Sequence, residues 1–257
     1  MTFELDFTSF GPLSYSTVPW DSDLFGIEFY ELRAEGPAAE VVRSLPAWRE
    51  ELRRRGLPAL AFTRIRPDDV ALAKVLGEIG FYPAETTLRI SLPLKRFVPL
   101  HPNAAGRAVL REASAEDLPT LVDMVEGMFE MDRFHLDPHL PRQLSDRRYA
   151  QWLERGFHDH DRLFVYETAD KEPMGFYLVK GQPPGEVDLS LAGLSERYRR
   201  GGAGALMYEA VLGRCRDLGF RTATSTISTN NTDAVNLFMR LGFVVRSAQL
   251  TMHLFLS

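Results

Sequence analysis

The 257 residues contain a single cysteine, Cys215, so no disulfide can close within the chain, and the composition fits a reducing compartment. Cys215 lies in an apolar helical pattern, which points to packing rather than nucleophilic chemistry. No run approaches the ~20 apolar residues of a membrane span. The first ten residues carry Glu4 and Asp6 with neither a basic start nor an apolar stretch, so no secretory signal is expected. A concentrated basic face is also missing. The net charge is −5, with acids and bases mixed along the length, whereas nucleic-acid binders gather their charge. The one basic run, Arg53-Arg54-Arg55, closes a helical pattern before Gly56 and reads as a solvated helix end. The expectation is a cytoplasmic protein with no nucleic-acid and no membrane partner.

What is present is an ordinary globular balance, 45% hydrophobic and 25% charged, enough for one large domain or two small ones. Proline and lost periodicity between Leu92 and Asn103 mark a linker at about 95–106. The expected division is therefore 1–95 and 107–257. Beyond the linker helix and strand patterns alternate. Strands are expected at Ala108–Glu112, Leu163–Glu167, Met174–Val179, Val187–Leu194, Thr222–Ser228 and Ala248–Leu256. Helices are expected after Ser114 (with Ser114 as N-cap and Asp117 at the capping-box position), from Asp146 to Phe157, from the glycines at 201–204 to before Gly219, and over Asn231–Leu241. The fold class is α/β (α+β).

The N-terminal part holds a weak internal repeat. When Gly80-Phe81 is laid on Gly242-Phe243, Leu76 meets Phe238, Ile79 meets Leu241, Leu88 meets Leu250 and Leu92 meets Leu254. Upstream, Gly56 and the strand from Ala59 to Thr63 mirror Gly219 and Thr222–Ser228.

The most informative segment follows the strand that ends at Leu194: Ser195-Glu196-Arg197-Tyr198-Arg199-Arg200-Gly201-Gly202-Ala203-Gly204-Ala205. Helix N-termini carry unpartnered N–H groups and partial positive charge. Glycines let a phosphate approach the backbone, and Arg199 and Arg200 add charge at that end, so a pyrophosphate is expected there. The P-loop is excluded because no lysine follows the glycines. The dinucleotide loop is excluded because Leu206-Met207 stand where its third glycine would be.

Arg199-Arg200-Gly201-Gly202-Ala203-Gly204 resembles the Gln/Arg-x-x-Gly-x-Gly/Ala coenzyme A loop of the GNAT acetyltransferase superfamily. Asn231-x-x-Ala234-x-x-x-Phe238-x-x-x-Gly242-Phe243 resembles that superfamily's later helix, and the order of elements from Arg107 to Ser257 agrees. The resemblance implies a GNAT fold with a central mixed, splayed sheet, here preceded by a smaller, partial GNAT-like N-terminal α/β domain. It implies acetyl-CoA as cosubstrate, no metal, and a small-molecule amine as acceptor. Cofactor contacts are then expected from Ala192, Gly193 and Leu194, from Arg199 through Ala205, from Asn231 and at Phe238. The N-terminal copy has no such loop and is not expected to bind coenzyme A.

Acetyl transfer to an amine needs a base for the ammonium and, optionally, an acid for the thiolate. Glu186 and Asp188 are the candidate bases; their alternative is that of ordinary strand-end carboxylates. The superfamily's usual tyrosine acid falls on Phe238, which has no proton to give. Tyr177, Tyr208 or water would have to replace it, or the domain binds coenzyme A without efficient catalysis.

A narrower resemblance concerns Pro19-Trp20-Asp21-Ser22-Asp23-Leu24-Phe25-Gly26, which is similar to the opening segment of TDP-fucosamine N-acetyltransferases. Arg133-Phe134 and Tyr149-x-x-Trp152 are similar to their acceptor side. This implies a nucleotide-linked amino sugar as acceptor, with an amino acid, aminoglycoside or polyamine as the alternative. The superfamily's acceptor lies over the first two helices, so Asp132, Arg133, His135 and Asp137 are the acceptor-side candidates. Arg133 could grip an anion or close a structural salt bridge. His135, Asp137 and His139, like His158-Asp159-His160, suggest a metal, but Pro138 and Pro141 argue for loop and the chemistry needs none. Trp20 either plugs the N-terminal core or touches substrate. The apolar end, Leu250 to Leu256, permits a homodimer.

Overall fold

The computed structural model describes residues 5–34, 36–102, 108–159, 161–182, 184–199 and 202–257. Arg200, Gly201, His160 and most of the expected linker's second half lie outside them. The elements in chain order are β1 (Thr8–Phe10), β2 (Leu13–Thr17), α1 (Pro19–Phe25), β3 (Glu28–Ala34), α2 (Ala38–Arg55), β4 (Ala59–Ile65), α3 (Val70–Glu78) and β5 (Tyr82–Pro93). There follow β6 (Val109–Glu112), α4 (Leu118–Val125), α5 (Arg142–His158), β7 (Arg162–Glu167), β8 (Pro173–Gln182) and β9 (Glu186–Leu194). The chain closes with α6 (Ala203–Asp217), β10 (Thr222–Ser228), α7 (Thr232–Arg240) and β11 (Val244–Leu256).

These elements form two compact units. One holds Met1–Thr87, Asp132–Ser145 and Ala248–Ser257; the other holds Leu88–Met131 and Asp146–Ser247. This differs from the contiguous division 1–95 and 107–257. Two segments return to the first unit because their apolar residues are spent there. Met252, Leu254 and Leu256 are buried among Leu45, Trp48 and Leu76. Phe134 and Leu140 pack with Phe25, Phe29 and Leu60.

In the first unit the strand order is β1-β2-β3-β4-β11. Strands β3 and β4 are parallel and stay in register from Glu28↔Ala59 to Leu32↔Thr63. The end of β11 pairs antiparallel with β4, Leu250↔Ile65 through Leu256↔Ala59. The apolar C-terminal strand thus lies within the chain's own sheet. Trp20 packs partly buried against the cluster of Val18, Phe25 and Phe29, in keeping with the structural reading of its segment.

In the second unit the order is β5-β10-β9-β8-β7-β6. Two cores flank the sheet. Ile90, Leu92, Leu189, Met207, Val211 and Phe238 lie in one; Leu121, Val125, Leu153, Phe176 and Leu191 lie in the other. Cys215 is fully buried in the first of these, and burial pushes its thiol up to about 12.

The repeat is visible in hydrogen-bond detail. Asp69 caps α3 by accepting from the Leu72 amide at 3.1 Å, and Asn231 caps α7 by accepting from the Ala234 amide at 3.1 Å. Each helix closes alike, Phe81 N–H to Leu76 O and Phe243 N–H to Phe238 O, both 3.0 Å. Both closures need a left-handed residue, supplied by Gly80 (φ 103°) and Gly242 (φ 92°). A Cβ on Gly80 would stand 3.4 Å from Leu254, and one on Gly242 3.6 Å from Leu92. Each helix end thus packs on the closing half of the other copy's final strand.

One expected helix starts late. Ser114 does not cap it; α4 begins at Leu118 after a turn. Asp117 instead reaches back to the Ser114 amide and hydroxyl at 2.7 and 2.9 Å, and is held by Arg111. The reaching-back arm of a capping box is present without its forward arm.

Candidate active site

The parallel strands β9 and β10 are in register only from Glu186↔Thr222 to Asp188↔Thr224. Beyond that the Ser225 hydroxyl reaches the Leu189 carbonyl at 3.0 Å. The partner edge is irregular as well: the β8–β9 register jumps from Leu178↔Leu191 to Val179↔Leu189, which leaves Ser190 as an extra residue. The bulge turns β9 over. Val187 and Leu189 face the α6 core, whereas Leu191 faces α4 and α5. The strands therefore part just past Asp188 and leave the second half of β9 beside an opening. The corresponding strands of the first unit, β3 and β4, show no such parting over their five paired residues.

Helix α6 starts after this opening. Its N-cap, Gly202, is left-handed (φ 85°), has no side-chain cap, and is followed by a first turn without acidic residues. A Cβ added at Gly202 or Gly204 would meet nothing within 4 Å. The amides of Ala203, Gly204 and Ala205 thus stand at a helix start with open space around the glycines, the arrangement an anion needs. Arg199 faces elsewhere: its guanidinium donates to the carbonyls of Leu194 (3.0 Å) and Met128 (3.4 Å). Ala192 and Leu194 are half-buried against the α6 core, and Gly193 is fixed by close packing. A Cβ there would collide with Met128 Sδ and lie 2.7 Å from the Phe176 ring.

The candidate bases separate. Glu186 opens β9 within its closed, paired stretch, whereas Asp188 sits at the last pair before the parting. Asp188 accepts from the Ser190 hydroxyl at 2.9 Å and the Thr224 hydroxyl at 3.3 Å. Burial pushes its carboxyl above the usual carboxylate range, against the pull of those two hydroxyls. A carboxylate poised in this way is suited to proton abstraction.

The candidate acids lie together. Tyr177 and Tyr208 meet edge to face with ring centroids 5.1 Å apart, and Tyr208 meets Phe238 in the same way. Tyr177 is buried, which holds its phenol well above its ordinary value. Burial pushes Tyr208 up to about 12, the neighbouring Tyr177 opposing. The hydroxyl missing at Phe238 is thus present on a neighbouring ring. Phe238 itself is buried. Asn231 spends its side-chain oxygen on the Ala234 amide as the α7 cap.

The acceptor-side candidates fall in the first unit. Asp132 holds the His135 ring at 2.5 Å. Burial would raise the Asp132 carboxyl, but His135 and two amides bring it below its ordinary value. Arg133 is buried between Phe62 and Phe134, 4.1 and 4.2 Å from their ring centres, and its Nη1 lies 2.9 Å from His253 Nε2. Asp137 is also buried, and takes hydrogen bonds from His253 Nδ1 (2.6 Å), Tyr82 (2.8 Å) and the His139 amide (2.9 Å). Both groups are engaged because a buried charge is costly unless paired. His253 is thus one internal partner of Arg133. The sequence reading missed Tyr82 and His253; only the paths of β5 and β11 bring them to the 132–139 segment. Among the described residues no group of three histidine, cysteine or acidic side chains could hold a metal ion.

A parted parallel pair, a bulged strand and an anion-ready helix start accord with a GNAT fold. Residues 125–243 match the family model described as Acetyltransferase (GNAT) family. The chain is 31% identical over 103 residues to a mycothiol acetyltransferase of Corynebacterium glutamicum (strain R), a stretch of 40% of this chain and 33% of that protein, so it spans about a third of that curated relative. Its fold is similar to that of a GCN5-related N-acetyltransferase from Sphaerobacter thermophilus (TM-score 0.69, 15% identity, 95% of this chain and 76% of that one). It is also similar to one from Kribbella flavida (TM-score 0.64, 17% identity, 97% and 89%). Among the described residues no helix is long and apolar enough to cross a membrane.

Proposed function

We propose that this chain is an acetyl-CoA-dependent N-acetyltransferase that acts on the primary amine of a small molecule. The observation that carries the reading is the parting of β9 from β10 just past Asp188, followed in the chain by the open glycine start of α6. A pantetheine arm would pair with Ala192–Leu194 as an added strand. The amides from Ala203 to Ala205, with the preceding loop residues Arg200 to Gly202, would hold the pyrophosphate.

The neutral amine would attack the thioester carbonyl, polarised by a backbone N–H of β9 past the bulge. The C–N bond forms and the C–S bond breaks. Asp188, directly or through water, takes the proton from nitrogen; Tyr208 gives one to the departing thiolate. Tyr177, whose ring lies against that of Tyr208, would steady the phenolate that this leaves.

For the acceptor, the opening segment around Trp20 favours a nucleotide-linked amino sugar. The relative named mycothiol acetyltransferase favours a second reading, an acceptor of that enzyme's kind. Free thiol release from acetyl-CoA, measured over simple amines, TDP-4-amino-4,6-dideoxygalactose and the acceptor of the mycothiol acetyltransferase reaction, separates them. Release with one of the last two acceptors and not with simple amines fixes the class. Tight binding of acetyl-CoA without release from any acceptor contradicts catalysis and favours a coenzyme A-binding module.

A further inference from the structure

The segment after α4 is held at both ends by the strands that part. At its start, Met128 is fixed twice: its sulfur fills the space that a Cβ on Gly193 would need, and its carbonyl accepts from Arg199. The same guanidinium holds the Leu194 carbonyl at the end of β9. Just before, Asp146 on α5 accepts from the Gly127 amide at 3.2 Å. At its end, the Met131 carbonyl accepts from Ser228 Oγ at 3.1 Å and from Asn230 Nδ2 at 3.3 Å, where β10 runs out. Because β9 and β10 are parallel, these anchors lie at the same end of the opening. Three extended peptide units reach about 10 Å. Two strands with an extended arm between them stand roughly 9.5 Å apart, twice the sheet spacing.

We propose that residues 128–131 form a strap across the open end of the β9–β10 parting, and that Arg199 is the positioning residue that latches it instead of gripping the cofactor's phosphates. The inference rests on the coenzyme A reading of this site. The latch explains why the guanidinium is spent on two carbonyls from different segments. A strap fixed in this way covers the pantetheine arm and holds Phe129, stacked on Tyr149 at 4.3 Å, beside the reacting end. A lysine would keep the charge at position 199 but lacks the planar fork that serves two acceptors at once.

The test measures binding of coenzyme A and of adenosine 3′,5′-bisphosphate, its phosphoadenosine part, by titration calorimetry. The proteins are the wild type, Arg199→Lys, Arg199→Gln and Ser228→Ala, each checked for a native melting transition. A latch predicts that both Arg199 variants lose about five- to tenfold in coenzyme A affinity, as two hydrogen bonds would, while bisphosphate affinity stays within about twofold. Ser228→Ala, at the other anchor, should give the same pattern more weakly. Bisphosphate affinity that falls in Arg199→Gln and is restored in Arg199→Lys makes Arg199 a phosphate ligand and overturns the latch, as does coenzyme A affinity unchanged in both. A wild type that binds no coenzyme A overturns the functional reading itself, and the latch with it.

Discussion

The Tyr208 ring stands edge to face against Phe238, with centroids 5.0 Å apart. The phenol therefore lies next to the place where the superfamily resemblance puts its acid. Tyr208→Phe should lower kcat about 10²-fold, at the low end for loss of a general acid, with coenzyme A affinity unchanged. Since burial holds this phenol up at about 12, kcat of the wild type should show no alkaline limb from it below pH ~11. Steady-state rates across pH, alongside titration calorimetry, check both parts.

Asp188 should have opposite effects on rate and stability. Its folded-state carboxyl titrates above its ordinary value, so its contribution to stability is fully present below the unfolded value of 3.8 and is lost as pH rises through the raised one. Asp188→Asn should therefore melt higher than the wild type at pH 7, with the gain vanishing on acidification. The same variant should lose about 10²-fold or more in kcat and the acidic limb of the pH profile. Glu186→Gln, in the closed part of the sheet, should retain that limb.

The Asp137–His253 pair ties the 132–145 segment to β11. Burial lowers His253 from 6.5 to about 4, against its bond to Asp137. Burial would raise Asp137, but His253, the His139 amide and Tyr82 bring it down to about 2. Both groups sit below their unfolded values, so stability is lost as pH falls, from 6.5 towards 4 for His253 and from 3.8 towards 2 for Asp137. His253→Leu leaves Asp137 and Arg133 each short of a buried partner and should cost about 2–4 kcal/mol. Its pH dependence between 6.5 and 4 should be flatter than that of the wild type in urea unfolding.

Gly193→Ala should destabilise by about 1–3 kcal/mol through overpacking, since its Cβ would meet Met128 and Phe176. Met128→Ala in the same chain removes the sulfur and should recover part of that loss. A double-mutant cycle by chemical denaturation measures the recovery, and strict additivity would contradict the contact.

Much of the second unit is legible in the sequence because its signals are local. The bounds Thr222–Ser228, the glycine start of α6 and the helix that opens at Asn231 follow from local patterns of periodicity and turn residues. The repeat is legible too, since Gly80-Phe81 and Gly242-Phe243 must close a helix in the same way. Membership of the two units is not, because β5 and β11 are each divided between them, and no local pattern says which core takes Leu92 or Leu254. Asp188 and Glu186 are equivalent in sequence; only the point where β9 leaves β10 separates them. Arg133 and Asp137 read as polar loop residues until Phe62, Tyr82 and His253, far along the chain, close around them.

The most direct test is amide hydrogen exchange with and without saturating coenzyme A. Slowed exchange at Ala192–Leu194 and at Ala203–Ala205, with the β3–β4 pair unchanged, is the result expected if the cofactor lies in the β9–β10 parting. Binding without protection at either segment, or protection confined to β3 and β4, would contradict that placement.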